Sequence, residues 1–253
     1  MMMTRPNHER KIEKLKIVSE VDCNAVACRN CGICRLGTPL DSTEADPRLL
    51  ERIAKNRRQV KRGDLLYRIG EPLKAIYAIR YGSIKTYLST VDGRSQITGF
   101  HIAGDPLGLA DLHDGLCSTE ARALENTSLC EIPIEHLQLL TEELPALRVQ
   151  LTQLLSQEVQ RLQGLSLLLG KKTAEERLAT FLITLSRRFA RRGYSSREFN
   201  LSMSRNDIGT YLGIVEETVC RTLARFQDEG LIDNQRRLIC VLDADRLARL
   251  AQI

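Results

Sequence analysis

Four of the eight cysteines lie close together near the N-terminus, between residues 23 and 34. Cys28, Cys31 and Cys34 form a C-x2-C-x2-C motif, and Cys23 lies just upstream of it. This spacing lets a short, tightly turning loop present three thiolates to one inorganic centre. It is typical of an iron–sulfur cluster whose fourth ligand comes from elsewhere in the chain.

Two other uses of clustered cysteines compete with this interpretation. Zinc sites usually pair two cysteine knuckles across a longer spacer, and the sequence has no second knuckle. A disulfide framework needs an oxidising compartment and usually a smaller domain. The spacing therefore ranks an iron–sulfur cluster first, zinc second, and structural or redox thiols third.

The composition is that of an ordinary globular protein with room for two domains. The chain has 253 residues, of which 43% are hydrophobic and 27% are charged. It has no 18-residue apolar run, and its charged first 16 residues lack the apolar core of a signal peptide. We expect a cytoplasmic protein without a membrane partner, and in that reducing compartment clustered thiols indicate metal or redox chemistry.

The charge distribution by itself decides little. The net charge is +5, and the part from Lys171 onward holds 15 lysines and arginines against 11 aspartates and glutamates. Much of this excess comes from one cluster of four arginines: Arg187, Arg188, Arg191 and Arg192. Such a cluster is more often a solvated helix face than a nucleic-acid site, so charge alone does not indicate DNA binding.

Between residues 51 and 134 short apolar runs alternate with turn signals. Glycine-containing pairs such as Asp92-Gly93 and Gly104-Asp105 lie between the runs. Strands repeating at roughly 8–12 residue spacing predict an antiparallel barrel or jelly roll. The runs cover residues 65–67, 75–79, 83–88 and 96–100.

A long helix with a regular apolar seam follows. Leucine and valine recur every three or four residues from Leu147 to Leu169, with charged and amide residues between them. A seam of this length between two domains usually finds a partner helix, so we expect a homodimer. The seam residues that we expect to pair are Leu151, Leu155, Val159, Leu162 and Leu169.

The last part of the chain predicts a winged helix-turn-helix. Ser204 is placed to cap a short helix that ends at Gly213, and a second amphipathic helix runs from Glu216 to about Gln227. The stretch from 231 to 242 alternates around a turn and predicts a β-hairpin wing.

The outer face of the second helix carries residues suited to reading base edges. If its apolar residues are buried, Glu217, Cys220, Arg221 and Arg225 point outward. Arginine suits guanine and glutamate suits the amino group of cytosine, although Glu217 and Arg221 also fit a simple i,i+4 salt bridge. Residues better placed for DNA phosphates are Ser204, Arg205 and Thr218.

These patterns together predict an α+β protein in four parts. They are a cysteine-rich segment (1–50), an antiparallel β jelly-roll sensory domain (51–142), a dimerisation helix (143–171) and a winged helix-turn-helix DNA-binding domain (172–253).

From about Cys28 to Leu250 the chain resembles the fumarate-and-nitrate-reduction regulators. These are the oxygen-sensing branch of the catabolite-activator superfamily. The resemblance implies a homodimer that binds a palindrome of TTGAT-like half-sites, recruits or blocks RNA polymerase, and controls anaerobic metabolism through a 4Fe-4S cluster that oxygen converts or destroys. The segments that carry the resemblance are 73–80, 96–101, 130–133, 171–178, 185–190 and 207–213.

The resemblance also implies a set of cluster ligands. Cys28 and Cys31 match two family ligands, and Cys130 matches the remote fourth ligand. The family pattern places the third ligand where this chain has Gly37, so Cys34 is the substitute and Cys23 the reserve candidate.

A second departure from the family lies in the recognition helix. The family presents glutamate, serine and arginine outward, whereas this chain has Glu217, Cys220 and Arg221. A thiol is a poorer hydrogen-bond partner than a hydroxyl. We therefore expect Glu217 and Arg221 to retain their contacts with the inner bases of the half-site. Discrimination at the base that Cys220 faces should be altered.

Other function classes fit less well. A nucleotide-binding regulator needs a Gly-Glu pair and an Arg-Ser or Arg-Thr pair, and the corresponding stretch from Gly108 to Thr119 has neither. A zinc or thiol redox-responsive transcription factor of the same fold remains the other alternative. None of the four histidines falls in a metal or triad motif, so we do not expect an enzyme.

Overall fold

The computed structural model describes residues 56–143 and 145–252. Its first eight strands are β1 (Asn56–Val60), β2 (Leu65–Tyr67), β3 (Ala75–Tyr81), β4 (Ser83–Ser89), β5 (Ser95–Ile102), β6 (Pro106–Leu107), β7 (Glu120–Ala123) and β8 (Thr127–Pro133). They form two antiparallel sheets, in the orders β1-β8-β3-β6 and β2-β7-β4-β5. The predicted jelly roll is confirmed.

Glycines with positive φ lie in several of the turns that connect these strands. Gly82, between β3 and β4, has a φ of 88° and lies directly against the backbone of Thr127. A side chain there would come within 2.7 Å of the Thr127 Cα, so only glycine fits the turn.

Two helices follow the jelly roll. Helix α1 (Ile134–Glu143) buries Leu137 and Leu140 and packs on β8, and the sequence patterns had not predicted it. Helix α2 (Pro145–Lys171) is the predicted long helix.

Burial varies along the length of α2. Leu147, Leu165 and Leu168 are buried. Leu151 and Leu155 pack against the jelly-roll core, and Leu169 packs against the core of the C-terminal domain. Val159 and Leu162 remain 53% and 42% exposed in the single chain.

The C-terminal domain is a helix-turn-helix with a three-stranded wing. Its helices are α3 (Ala174–Arg191), α4 (Arg205–Leu212), α5 (Glu216–Asp228) and α6 (Ala244–Ala251). Its strands are β9 (Glu198–Asn200), β10 (Ile232–Gln235) and β11 (Leu238–Val241), in the order β10-β11-β9. The predicted winged helix-turn-helix is confirmed, and the sequence had not predicted β9 or α6.

The two domains do not have fully separate cores. Ile97, Phe100 and Ile102 of the jelly roll are buried in the same apolar cluster as the helices of the C-terminal domain. Within the described residues, no helix combines the length and apolar character needed to cross a membrane.

Candidate nucleic-acid interface and cluster ligand

Helix α4 begins with a reciprocal cap. The Ser204 hydroxyl accepts from the Asp207 backbone N–H at 3.0 Å, and the Asp207 carboxylate accepts from the Ser204 backbone N–H at 3.0 Å. Each partner satisfies a backbone donor that the start of a helix leaves unpaired. Ser204, a predicted phosphate contact, is exposed at this helix start.

The turn between α4 and α5 needs two glycines. Gly213 ends α4 in the left-handed conformation, with φ at 63°. A Cβ on Gly209 would lie 2.5 Å from the carbonyl oxygen of Ile214, so the turn packs directly on α4 only because residue 209 lacks a side chain. This close packing fixes the angle between the two helices.

Helix α5 is strongly two-sided. Val219, Leu223 and Phe226 are at most 1% exposed, and they anchor the helix in the domain core. Glu217, Cys220 and Arg221, the three predicted base-reading residues, are all exposed on the opposite side. The structure brings them together on the first two turns of α5.

The Glu217–Arg221 pair is loose. The Arg221 guanidinium lies 3.9 Å from the Glu217 carboxylate, and the two side chains are 72% and 86% exposed. An exposed i,i+4 pair contributes only about 0.3–0.5 kcal/mol, so either side chain is free to exchange its partner for a base edge. Thr218, a predicted phosphate contact, is half-buried beside them.

Arg225 lies one turn further along α5 and is already engaged. Its guanidinium forms a short ion pair with Glu175, in the first turn of α3, and lies 3.9 Å from Glu229. The sequence pattern had placed Arg225 beside Arg221, but its carboxylate partners tie α5 to its own domain.

Arg205, another predicted phosphate contact, connects α4 to the wing. Its guanidinium donates to the Asn234 side chain at 2.7 Å and to the Arg236 carbonyl at 2.6 Å. Burial lowers the pKa of Arg205 from its ordinary value. The sequence had not predicted Arg236 and Arg237, which share a cleft of about 200 Å³ with Ser204 and Arg205. The adjacent arginines at the hairpin turn were the available signal.

Cys130 is the one predicted cluster ligand within the described residues. It lies in β8, is 9% exposed, and pairs across the sheet with Arg57 of β1 and Ala78 of β3. Cys28, Cys31, Cys34 and the reserve Cys23 lie outside the described residues. No group of three or more potential metal ligands occurs within residues 56–143 and 145–252.

The surroundings of Cys130 connect it to the long helix. Cys130 belongs to the same apolar core as Ile132 and Leu147, and Leu151 and Leu155 pack against that core. Cys130 and the first half of α2 therefore belong to one apolar core.

Cys117 is a second buried cysteine in the same apolar core. It is 3% exposed, and burial, followed by the negative charge of Asp111, raises the pKa of its thiol to about 11. A thiol with that pKa stays protonated near neutral pH, whereas metal ligation requires the thiolate. Cys117 is a small buried apolar residue.

Comparisons with known proteins agree with this architecture. Residues 176–250 match the Crp-like helix-turn-helix domain, and residues 57–143 match the cyclic nucleotide-binding domain. The chain is 46% identical over 224 residues to the transcriptional activator protein anr of Pseudomonas aeruginosa, covering 88% of this chain and 92% of that protein. It is 44% identical over 227 residues to the fumarate and nitrate reduction regulatory protein of Escherichia coli K12, covering 90% of this chain and 91% of that protein.

The chain belongs to the fumarate and nitrate reduction regulator family. Among solved structures, FixK2 from Bradyrhizobium japonicum superposes with a TM-score of 0.72 at 31% identity, covering 77% of this chain and 96% of FixK2. The fumarate and nitrate reduction regulators and their Crp-like relatives are transcription regulators with a helix-turn-helix. This family member is accordingly a DNA-binding transcriptional regulator with a nucleotide-binding-type jelly roll as its second domain.

Proposed function

We propose that this regulator responds to oxygen. In this proposal it binds a palindrome of TTGAT-like half-sites as a homodimer while a 4Fe-4S cluster is intact, and it acts on RNA polymerase at promoters of anaerobic metabolism. The observation that carries the DNA part is the exposed Glu217–Arg221 pair at the start of α5, opposite a fully buried anchoring face.

The helix-turn-helix supports base reading in the major groove. A recognition helix enters that groove with its N-terminal outward residues against base edges. Arg221 would donate to guanine and Glu217 would accept from cytosine, so each half-site should contain a G·C pair. Ser204, Arg205 and Thr218 would contact phosphates, and Arg236 and Arg237 extend that basic surface along the wing.

The long helix supports a two-fold dimer. Val159 and Leu162 lie three residues apart on one face of α2 and are exposed in the single chain. The remaining predicted seam residues, Leu151, Leu155 and Leu169, are half-buried and border the two domain cores. If two α2 helices pair about a two-fold axis, the same axis relates the two recognition helices. That symmetry matches the symmetry of a palindromic DNA site.

The donor chemistry of Cys130 supports a cluster ligand. Its thiol lies in a sheet rather than in a flexible loop, so one coordination position is fixed in advance. Cys28, Cys31 and Cys34 would supply the other thiolates, with Cys23 in reserve. When bound, the cluster supplies the oxygen-sensitive chemistry.

The shared core around Cys130 supports a route from ligand to dimer helix. Because Leu151 and Leu155 pack on the core that includes Cys130, a displacement of β8 would be transmitted to α2 through that shared core. Val159 and Leu162 lie on the next turns of that helix, so the proposed dimer contact would lie immediately beyond that segment.

The loop that would face a cyclic nucleotide disfavours that ligand. Asp111 is 3% exposed, and its carboxylate accepts hydrogen bonds from the backbone and hydroxyl of Ser118. A buried carboxylate would repel a nucleotide phosphate. The alternative of a cyclic-nucleotide regulator is therefore the weaker one, although the fold is the same.

Single substitutions test the ligand set. Cys28, Cys31, Cys34 and Cys130 would each be changed to alanine, and iron and sulfide would be measured in anaerobically purified protein. We expect each change to abolish the cluster. Cys117→Ala should retain it, and so should Cys240→Ala, because Cys240 lies in β11 of the C-terminal domain.

The result separates the candidate schemes. If Cys34→Ala kept its full cluster content and Cys23→Ala lost the cluster, Cys23 rather than Cys34 would be the third N-terminal ligand. Bound zinc in place of iron and sulfide in the wild-type protein would contradict the oxygen-sensing proposal and favour the zinc alternative.

A further inference from the structure

A carboxylate that is largely shielded from solvent joins the two domains. Asp105 follows β5 of the jelly roll, and its side chain is 14% exposed. One carboxylate oxygen accepts from Arg192 of the C-terminal domain at 2.8 Å, and the other accepts from Arg188 and from the backbone N–H of Ile102 at 2.8 Å. Both oxygens are therefore satisfied by charged or backbone donors.

Both arginines are partly buried, and both form ion pairs with Asp105. Arg188 and Arg192 are 28% and 18% exposed, and Arg188 also donates to the Phe100 carbonyl at 2.7 Å. A Cβ on Gly104 would lie 2.9 Å from the Arg192 guanidinium, so the glycine before Asp105 leaves room for it. Charge-assisted bonds of this kind are stronger and more directional than exposed ion pairs.

Polar contacts continue from this junction along α4. The Lys85 ammonium of β4 lies 2.5 Å from the carboxylate of Asp207, which also caps α4. The Gln96 amide of β5 donates to the carbonyl of Thr210 at 2.8 Å and to that of Tyr211 at 3.2 Å. The jelly roll therefore makes polar contacts with both ends of α4.

An aromatic cluster fills the space between these contacts. The ring of Phe100, from β5, lies 6.0 Å from that of Phe181 in α3 and 5.2 Å from that of Tyr211 in α4. Three rings from three elements pack together, so sliding of one domain over the other would disrupt them.

We infer that Asp105 is a positioning residue for DNA recognition: it holds α3, and through it the helix-turn-helix, at one fixed orientation to the jelly roll and the dimer helix. The inference rests on the proposed DNA binding. A palindrome presents two half-sites at one separation and rotation, so a dimer reads both only if each recognition helix is held at a set angle. The contacts lie on the inner sides of α3 and α4 and leave Glu217 and Arg221 uncovered.

The chain supplies a matched control on the same helix. Arg187 and Arg191 are exposed neighbours of Arg188 and Arg192 in α3. The double variants Arg188→Ala/Arg192→Ala and Arg187→Ala/Arg191→Ala remove the same charge, but only the first pair loses the Asp105 contact. Asp105→Asn provides a milder variant that keeps the side-chain shape.

DNA probes with altered half-site spacing give the decisive readout. Two extra base pairs rotate one half-site by roughly a fifth of a turn. We expect anaerobic wild-type protein to bind the altered probe about tenfold or more weakly than the regular palindrome. In Asp105→Asn and Arg188→Ala/Arg192→Ala, binding to the regular palindrome should weaken. The ratio of the affinities for the regular and the altered probe should shrink toward one. In the control double variant both probes should weaken equally, with the ratio unchanged.

Amide hydrogen exchange measures the same coupling without DNA. Loss of the Asp105 contact should speed exchange in β5 and α4, and the control double variant should match the wild type. Unchanged exchange and an unchanged spacing ratio in the Asp105 and Arg188/Arg192 variants would overturn the inference. If the wild type bound neither probe, the proposed DNA function would fail, and hydrogen exchange would still decide whether Asp105 fixes the domains.

Discussion

The inner and outer faces of the C-terminal domain use the same residue types in opposite ways. On the inner face, Arg188 and Arg192 are largely buried and share one carboxylate, Asp105. On the outer face, Arg221 is 72% exposed and lies 3.9 Å from Glu217. An arginine whose donors are satisfied in a buried site fixes structure, whereas an exposed arginine with a distant partner is available to a ligand.

Helix α2 repeats the contrast with apolar residues. Leu165 and Leu168, near the end of the helix, are buried against the chain's own core, whereas Val159 and Leu162, in its middle, are exposed. Exposed apolar residues in the middle of a long helix that links two domains indicate a partner surface. The comparison between inner and outer faces therefore predicts which substitutions alter association and which alter folding.

The largest effect should come from placing a charge in the dimer seam. Burying a leucine contributes on the order of 1.5–3 kcal/mol, and an unpaired buried carboxylate costs several kcal/mol. Leu162→Asp should therefore convert the dimer to monomer at micromolar concentration, as measured by sedimentation. Leu167→Asp is the matched control, because Leu167 is also exposed on α2 but lies outside the predicted seam.

The same seam should hold a dimer, at least in part, after the cluster is lost. Glu158 could disturb it only by turning into the seam, and its carboxylate accepts from Arg161 at 2.6 Å and 2.9 Å while Arg161 donates to the Thr98 carbonyl at 2.8 Å. Control would then act through reorientation of α2. Sedimentation of the cluster-free protein as a clean monomer, with Leu162→Ala changing nothing, would refute this.

The next effect concerns the outer face of α5. Arg221→Ala should weaken binding by roughly 1–3 kcal/mol and relax the preference for one G·C pair in each half-site, because a bidentate base contact is lost. Arg225→Ala removes the same charge one turn away, where the guanidinium is paired with Glu175. It should leave base preference intact. Equal weakening of every sequence by Arg221→Ala would make Arg221 a phosphate contact only.

The smallest expected effect is the pH dependence that comes from His101, which lies in β5 near the domain junction. Burial, and next the charge of Arg161, lower the pKa of His101 to about 4, and its ring nitrogen lies 3.0 Å from the Thr86 hydroxyl. The unfolded ring has a pKa of about 6.5, so the stability contributed by the neutral ring is lost as the pH falls from about 6.5 toward 4. NMR should show one histidine that stays neutral at pH 5, and His101→Gln should remove its signal. A His101 that titrates near 6.5 would contradict the buried, neutral junction.

Local signals in the sequence predicted the elements that carry the outer face. Ser204 and Gly213 marked the ends of α4, and the apolar spacing of α5 placed Glu217 and Arg221 outward, because caps and helical periodicity depend on neighbours only a few residues away. Glycine turns likewise marked four of the jelly-roll strands.

The inner face could not be predicted in this way. The four-arginine cluster had the pattern of a solvated helix face, because Asp105 lies more than 80 residues from Arg188 in sequence. Helix α1, strand β9 and helix α6 were also missed, since each is short and is stabilised by packing rather than by a strong pattern of its own.

The most direct test of the oxygen-responsive DNA-binding regulator is a binding measurement on one sample before and after air. Anaerobically purified protein would be titrated with a TTGAT palindrome while its absorbance and Mössbauer spectra are recorded, then exposed to air and titrated again. We predict 4Fe-4S spectra with tight, sequence-specific binding before air, and loss of both together afterwards. Equal DNA binding before and after air, or tight binding by a sample that never held iron, would contradict the proposal.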